Sequence, residues 1–425
     1  MFGVRIRILA VVLAMTSFPV PAQSAPTAPV VSSFAINPIV WTSKTQPLTI
    51  GASLSSAGNW KLEIISRCTG IIARTETGTL DKAGRITATI NKDAEPVIVN
   101  GPYEVRLTPS TLDNVVGTPT SIDLSVQSAT VKPTRVDAIC SNASRFAAAA
   151  DVPAIIASQI MNARISYPDA TTLLLAKYDK NHIATTAVFA TYARMRGLPL
   201  LFTQPDKIDK IVLKELTRRK AKKVILLGTV KDIPASMVTT LKTAKYSVQR
   251  IQAPTLSEFA VKLFSPSLVA EQTPAVFVNF AGSSQSILEA TAFAVATNRP
   301  LFPMSNAVPA VVKKALVALK TDGGVAIGST KDIAERAIAQ VPKVTRLYSS
   351  DAVTQSLTLA RSVSQQVDTL LAYAPNGVVD VRMIAALTKP VIPIAIAKTG
   401  LSLDQRRFIN ARGDISRIQA TAPSK

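Results

Sequence analysis

Residues 197–251 read GLPLLFTQPDKIDKIVLKELTRRKAKKVILLGTVKDIPASMVTTLKTAKYSVQRI, and this stretch decides the fold class. Short apolar runs at 198–203, 223–227 and 246–251 are typical of strands buried on both faces. Between them, 206–220 and 232–244 carry apolar residues at helical spacing, with lysines on the opposite side. Strands and helices that alternate with short links predict parallel βαβ crossovers, and therefore an α/β domain.

The same order of pieces returns at 298–327 and at 389–419. Each unit opens with a proline, and the first apolar residue of the next strand follows 25 residues later. The three pairs are Pro199 and Val224, Pro300 and Val325, and Pro390 and Ile415. An interval kept three times predicts three repeats, the third ended by the C-terminus at a strand over 415–420.

The repeats share motifs as well as spacing. The first carries GLPLLFT at 197–203, KKVILLG at 222–228 and YSVQRI at 246–251, and the second keeps RPLF at 299–302 and VTRL at 344–347. This pattern resembles the type 2 cell-wall-binding repeat of Gram-positive surface proteins, over roughly residues 131–425. The resemblance implies three flavodoxin-like α/β modules in a pseudo-threefold arrangement, with no cofactor.

The chain departs from that family after the first strand of each module. The family has a G-D-N-[FY]-[PA]-D-A-L segment there, whereas this chain has KYDKNHI at 177–183, GSSQSIL at 282–288 and PNGVVDV at 375–381. The family's R-I-A-G-x-[DN]-R-[FY] segment is reduced to Arg145-Phe146 before the first module, and to Arg250-Ile251 and Arg346-Leu347 after the first and second. The resemblance is therefore that of a divergent member.

The N-terminal part has a different character. Arg5 and Arg7 precede an apolar run over 8–15, which with its flanks is typical of a secretory signal peptide at 1–24. Over 26–130, seven short alternating runs separated by turn-forming clusters predict an all-β sandwich of immunoglobulin-like (Ig-like) type. The predicted domains are the sandwich at 26–130 and repeats at 131–265, 266–364 and 365–425. The edge of the last sheet is expected to be covered by a neighbour or by the segment 135–163, and we expect an alanine-rich helix over 141–161 to do so.

Two cysteines, Cys68 and Cys140, occur in the chain. They fall in different predicted domains, which favours two unpaired thiols. In an exported chain a disulfide is the alternative.

The positive charge is concentrated in the repeats. Residues 26–130 hold eight basic and eight acidic side chains, whereas residues 131–425 hold 38 basic and 19 acidic ones. Such an excess attracts polyanions, with an affinity that falls as salt rises. In a bacterial wall these are teichoic- or teichuronic-like polymers. Nucleic acid fits the charge but not the compartment of an exported chain.

Parallel sheets place ligands beyond the carboxyl ends of their strands. The candidate polymer contacts at those ends are Lys177, Lys180, Lys231 and Lys331. The densest basic cluster adds Arg218, Arg219 and Lys222, for which a solvated helix face is the alternative interpretation.

No enzyme is predicted. His182, the one histidine of the chain, is not accompanied by a nucleophile pattern or paired carboxylates, and no metal site is expected. The sequence instead predicts a secreted wall-binding surface protein, held non-covalently and with no membrane span in the mature chain. The alternatives are a two-lobed solute- or glycan-binding protein and a secreted hydrolase with an unrecognised active site. The oligomeric state is not predicted.

Overall fold

The computed structural model describes residues 27–42, 46–68, 72–91, 98, 100–127, 135–145, 152–179, 181–375, 379, 383–384, 387, 389–397 and 400–420. The predicted signal peptide lies outside these ranges. Across the described residues, the helices are too short or too polar for any of them to span a bilayer.

The N-terminal part is a β-sandwich that contains all seven predicted strands and one short additional strand. The strands are β1 (Val31–Asn37), β2 (Val40–Trp41), β3 (Leu48–Leu54), β4 (Gly58–Ser66), β5 (Ile72–Leu80), β6 (Gly84–Ile90), β7 (Gly101–Ser110) and β8 (Thr120–Val126). They form a three-stranded sheet, β1-β3-β6, and a five-stranded sheet, β2-β8-β7-β4-β5. Alternate side chains of both sheets share one core around Trp41, Ile50 and Ile64. The Ig-like assignment stays a prediction.

The rest of the chain builds three four-stranded parallel sheets, as the repeats predict. Module 1 contains β10 (Thr172–Lys177), β11 (Leu200–Thr203), β12 (Lys223–Leu227) and β13 (Ser247–Ile251), in the order β11-β10-β12-β13. Module 2 repeats this order with β14 (Ala275–Val278), β15 (Leu301–Pro303), β16 (Gly324–Ile327) and β17 (Val344–Leu347). Module 3 contains β18 (Thr369–Tyr373), β19 (Ile392–Ala395) and β20 (Arg417–Ala420). The chain is thus a multidomain α/β protein, whereas the pseudo-threefold arrangement and the domain boundaries stay predictions.

Helices connect and cover these sheets. They are α1 (Arg135–Ser141), α2 (Val152–Ser166), α3 (Ile183–Arg196), α4 (Lys210–Arg218), α5 (Ala235–Thr243), α6 (Leu256–Leu263), α7 (Ser284–Thr297), α8 (Ala310–Ala318), α9 (Glu335–Ile338), α10 (Ala352–Arg361) and α11 (Leu403–Ala411). Helices α3 and α7 are buried on nearly all sides and pack against each other, which joins modules 1 and 2. Both end in a left-handed residue, Gly197 (φ 61°) and Asn298 (φ 53°), just before the next strand of their repeat.

The interval of 25 residues between the opening proline and the third strand of each repeat is not kept to the residue in the last repeat. Leu174 lies level with Leu200 and Ile225 in module 1, whereas Leu370 lies level with Ile392 and Ile418 in module 3. The predicted start of the last strand at residue 415 is therefore wrong. Residue 415 lies in the turn that precedes β20.

The fourth strand of module 3 comes from the segment that precedes module 1. A two-residue strand, β9 (Ser144–Arg145), pairs in parallel with β20, so that the order is β19-β18-β20-β9. The predicted helix over 141–161 is wrong, because this strand interrupts it and α2 begins at Val152. The expectation that a segment from this region covers the edge of the last sheet is confirmed.

Helix α1 packs on module 3 and helps to close the α/β region. The guanidinium of Arg135 donates to the carbonyl oxygens of Ile409 (2.8 Å) and Gly413 (3.1 Å), and also bonds that of Ile415. These carbonyls lie at and beyond the end of α11, where a helix leaves acceptors unpaired and where a cation is favoured. Arg406 Nη1 on α11 binds Asp137 Oδ1 on α1 at 2.9 Å.

Cys68 and Cys140 form a disulfide, so the expectation of two unpaired thiols is wrong. Cys68 follows β4 of the sandwich, and Cys140 lies on α1. Both side chains belong to the core of the α/β region, together with Val136 and Ile139. The cysteines can pair because α1 lies against β7 of the sandwich, which brings the two predicted domains into contact. Their separation into two domains therefore did not keep them apart.

Candidate functional site

A cavity of about 160 Å³ opens at the carboxyl ends of β10 and β12 in module 1. Strand-end loops form its floor, and the first turns of α3 and α6 form its walls. Its polar lining comes from Lys177, His182, Thr229, Asp232 and Thr255. Strands of a parallel sheet end at the same edge, so side chains distant in sequence meet here.

One wall carries a lysine, an aspartate and a histidine from the segment that departs from the family pattern. Asp179 Oδ2 lies 3.7 Å from Lys177 Nζ and 3.4 Å from His182 Nδ1. His182 is half exposed and occupies the N-cap position of α3 without a side-chain capping bond. The positive end of the α3 dipole and the Lys177 ammonium therefore both favour a negative group in the cavity.

The opposite wall is a rigid turn that Arg250 holds from outside the cavity. Asp232 Oδ2 accepts from the backbone N–H and the hydroxyl of Thr229, both at 2.8 Å. Arg250 donates to the carbonyl oxygens of Gly228 (3.0 Å) and Thr229 (2.8 Å), and also to that of Ile233 (2.7 Å). The arginine that carries part of the family resemblance thus positions the loop after the third strand.

Module 2 builds an equivalent turn, in which a serine replaces the threonine. Ser329 takes the place of the threonine and donates to Asp332 Oδ2 from its backbone N–H (3.1 Å) and its hydroxyl (2.7 Å). Arg346 then binds the carbonyl oxygens of Gly328 (2.7 Å) and Ser329 (2.9 Å). Lys231 and Lys331 are exposed near the tips of these two equivalent turns.

The carboxyl end of module 3 differs because it is buried against module 2. The Tyr373 hydroxyl, at the end of β18, donates to the carboxylate of Glu289 on α7, and Gln285 Nε2 lies 3.2 Å from the same carboxylate. Burial raises the pKa of Glu289, and the hydrogen bonds from Tyr373, Gln285 and Gln355 offset part of that rise. This end of the sheet therefore joins two modules.

The seven candidate contacts do not form one site. Lys177 lines the cavity and Lys231 lies near it, whereas Lys331 belongs to the next module. Lys180 lies outside the described residues. Arg218, Arg219 and Lys222 lie at the opposite edge of module 1, between the end of α4 and the start of β12.

Arg219 is wrong as a polymer contact, because its side chain is fully buried. It binds Glu215 Oε1 at 2.6 Å and also the carbonyl oxygen of Tyr167. Arg218 and Arg164 bind the same carboxylate, at 2.8 Å and 2.7 Å. Burial alone would raise the pKa of Glu215, but the three arginines outweigh it and hold the pKa at about 2. The cluster thus stabilises the fold, with Lys222 left exposed beside it.

The sequence analysis missed the hydroxyls and carboxylates that shape the cavity. Thr229 and Asp232 follow β12 directly, and Thr185 and Thr186 stand in the first turn of α3. Their positions directly beyond strand ends are a signal that the sequence carries, as it does for the lysines. Within the described ranges, no three His, Cys, Asp or Glu side chains are grouped as metal ligands.

The sandwich, the three parallel sheets and their shared helical core define a multidomain α/β fold with repeated modules. No protein-family model matches the chain, and no curated protein matches it by sequence. Among solved structures, its fold is similar to that of Cwp6 from Clostridium difficile, with a TM-score of 0.54 and 13% identity, over 92% of this chain and 65% of that one. It is also similar to Cwp8 from Clostridium difficile, with a TM-score of 0.52 and 11% identity, over 90% of this chain and 87% of that one. The chain therefore spans about two thirds of the length of Cwp6, and at these identities the likeness concerns the fold.

Proposed function

We propose that the protein is a non-catalytic surface protein held at the bacterial cell wall by non-covalent binding of its α/β modules to an anionic wall polymer. The observation that carries this proposal is the repeated parallel-sheet module, whose order of pieces resembles the type 2 cell-wall-binding repeat. The fold shared with Cwp6 and Cwp8 along nine-tenths of the chain supports it.

The cavity of module 1 supplies a contact of suitable chemistry. Lys177 and the first turn of α3 present donors to an anionic group, and Lys231 adds a cation at the rim. Asp179 and Asp232 balance part of this charge, so specificity comes from donor geometry more than from net attraction. The β-sandwich acts as a spacer or display unit, fixed to the modules by the Cys68–Cys140 disulfide.

Retention of the full chain on purified walls, before and after acid stripping of the anionic polymers, tests the proposal. The whole chain is needed because the disulfide joins the sandwich to α1. We expect strong retention on intact walls, little on stripped peptidoglycan, and loss of retention as salt rises to about 0.5 M, where the Debye length is about 4 Å. Equal retention on stripped walls, or indifference to salt, contradicts it.

A matched pair of variants tests the cavity. We expect the double variant Lys177→Ala and Lys231→Ala to bind walls about tenfold or more weakly, because two charged donors are lost. Lys214→Ala with Lys242→Ala removes the same charge from exposed helix positions of module 1 and is expected to bind as the parent does. Equal losses of wall affinity in both double variants would show that binding depends on the overall positive charge and would contradict a role of the cavity.

The absence of catalysis is part of the proposal. His182 and Asp232 line the cavity, and Asp179 lies beside His182, so this is where turnover would arise. Purified protein is expected to release no sugar or phosphate from wall glycans. Release that disappears in His182→Asn would make the protein an enzyme instead.

A further inference from the structure

A second cavity, of about 280 Å³, lies between modules 1 and 3, at the edge of module 3 where its strands begin. Lys389 stands before β19, Arg417 begins β20 and Asp368 precedes β18. Module 1 contributes Arg194 from the last turn of α3, together with Ser166 and Tyr167 from the end of α2. This cavity is remote from the site of module 1, which lies at the carboxyl ends of the strands.

The lining is markedly cationic. Of the described residues around the cavity, Arg194, Lys389 and Arg417 are basic and Asp368 is acidic. Asp368 Oδ1 already accepts the hydroxyl of Thr369 at 2.7 Å. Within the described part of the chain, none of the three cations forms an ion pair with a carboxylate. Like charges that face one cavity repel each other, and an anion between them relieves that repulsion.

Arg194 is held in place and keeps a donor unused. It hydrogen-bonds the Tyr167 hydroxyl, and burial raises the pKa of Tyr167, so this hydroxyl stays neutral. The backbone of Tyr167 is fixed in turn by Arg219, through its carbonyl oxygen. The Nε of Arg194 is buried and has no hydrogen-bond partner among the described residues. Arg194 is thereby fixed at the cavity, where its positive charge adds to those of Lys389 and Arg417.

We propose that this junction is a binding site for a phosphate-bearing group, which bridges modules 1 and 3. Two guanidinium groups and an ammonium suit phosphate, because its oxygens accept the planar donor pairs of arginine together with a point charge. Ser166 adds a hydroxyl-bearing side chain to the lining. A carboxylate has two oxygens and cannot satisfy all three cations equally. A cavity of this size accommodates a phosphorylated sugar unit as well as phosphate itself.

This inference does not depend on the proposed wall attachment, and it is tested without walls. Isothermal titration calorimetry of the full chain with inorganic phosphate, glucose 1-phosphate and acetate separates the sources. We expect one saturable site for the phosphates, with a Kd of about 1 mM or tighter, and no such site for acetate. Tighter binding of the sugar phosphate assigns the site to a phosphate ester, and tighter binding of inorganic phosphate assigns it to the free anion.

Variants connect the binding to the cavity. Arg417→Ala and Lys389→Ala are each expected to weaken phosphate binding about ten- to a hundredfold, because each removes a charge-assisted bond. Lys313→Ala removes an exposed lysine on α8 and is expected to leave binding unchanged. Arg417→Lys keeps the charge but not the paired donors, so intermediate affinity is expected; it also serves if the alanine variant unfolds. Absence of saturable binding, equal binding of acetate, or an equal loss in Lys313→Ala would overturn the proposal.

Discussion

Replacing Glu215 by glutamine removes the carboxylate that three arginines share at the base of module 1. The side chain is fully buried, and its pKa is lowered from 4.5 to about 2 against the effect of burial. A shift of this size corresponds to about 3 kcal/mol of stability at neutral pH. Breaking a buried ion pair from one side costs about 3–5 kcal/mol, because Arg219 is left buried without its counter-charge. The pKa shift and the cost of breaking the ion pair both predict that Glu215→Gln lowers the free energy of unfolding by about 3 kcal/mol or more.

The pH dependence follows from the direction of the shift. Because the folded-state pKa of Glu215 lies below the unfolded value, its stabilisation is complete above pH 4.5 and is lost as the pH falls towards 2. Differential scanning calorimetry at pH 7, 5 and 3 should therefore show the gap in Tm between parent and Glu215→Gln narrowing as the pH decreases. The gap should persist in about 0.5 M salt, because buried charges are screened little.

A surface pair provides the control for this prediction. Lys320 Nζ and Glu271 Oε2 lie 2.8 Å apart, but both side chains are more than half exposed. Glu271→Gln should cost less than about 1 kcal/mol, and salt should abolish that cost. If Glu215→Gln lost no more than Glu271→Gln, or if its loss stayed constant down to pH 3, the assignment of Glu215 as a buried, ionised anchor would be refuted.

Three further predictions concern the junctions between parts of the chain. Burial raises the pKa of Glu289, so Glu289→Gln should be more stable than the parent at pH 7 and equally stable near pH 3, as measured by thermal unfolding. Cys68→Ser and Cys140→Ser should each lower the free energy of unfolding by about 4 kcal/mol, because the disulfide spans 72 residues. Limited proteolysis should then release the sandwich. Unequal losses in the two variants would show that the disulfide is not the cause. Arg135→Ala should lose about 1.5–3 kcal/mol, and hydrogen exchange should speed up in α11 but not in β7.

The elements that the sequence predicts well are those with a strong local signal. The strand of 223–227 matches to the residue, because an uninterrupted apolar run bounded by turns leaves little choice of boundary. The edge location of Lys177 and Lys231 followed from parallel topology alone, since carboxyl ends of such strands meet at one edge. The ion pair of Glu215 with Arg219 was not predicted, although oppositely charged residues four positions apart on one helix face are a recognisable signal.

The features that escaped prediction depend on contacts between distant segments. A two-residue strand such as β9 has no periodicity of its own, so only its pairing with β20 reveals it. The disulfide required α1 to lie against the sandwich, and the cationic cavity required Arg194 to meet Lys389 and Arg417 from another module. Composition indicated an excess of positive charge but could not indicate where three cations would converge.

The pairing of β9 with β20 has a consequence for the order in which the chain folds. Gln419 lies beside Ser144, so two segments 275 residues apart become neighbours and the α/β region is closed into a ring. Closing a disordered loop of that length would cost about 5 kcal/mol of chain entropy, a cost that folded intermediate modules reduce by bringing the ends together. We therefore expect this pairing to form late, after the sheets of modules 1 and 2, and to form slowly because of its high contact order. During synthesis, Ser144 and Arg145 leave the ribosome long before β20, the strand with which they pair.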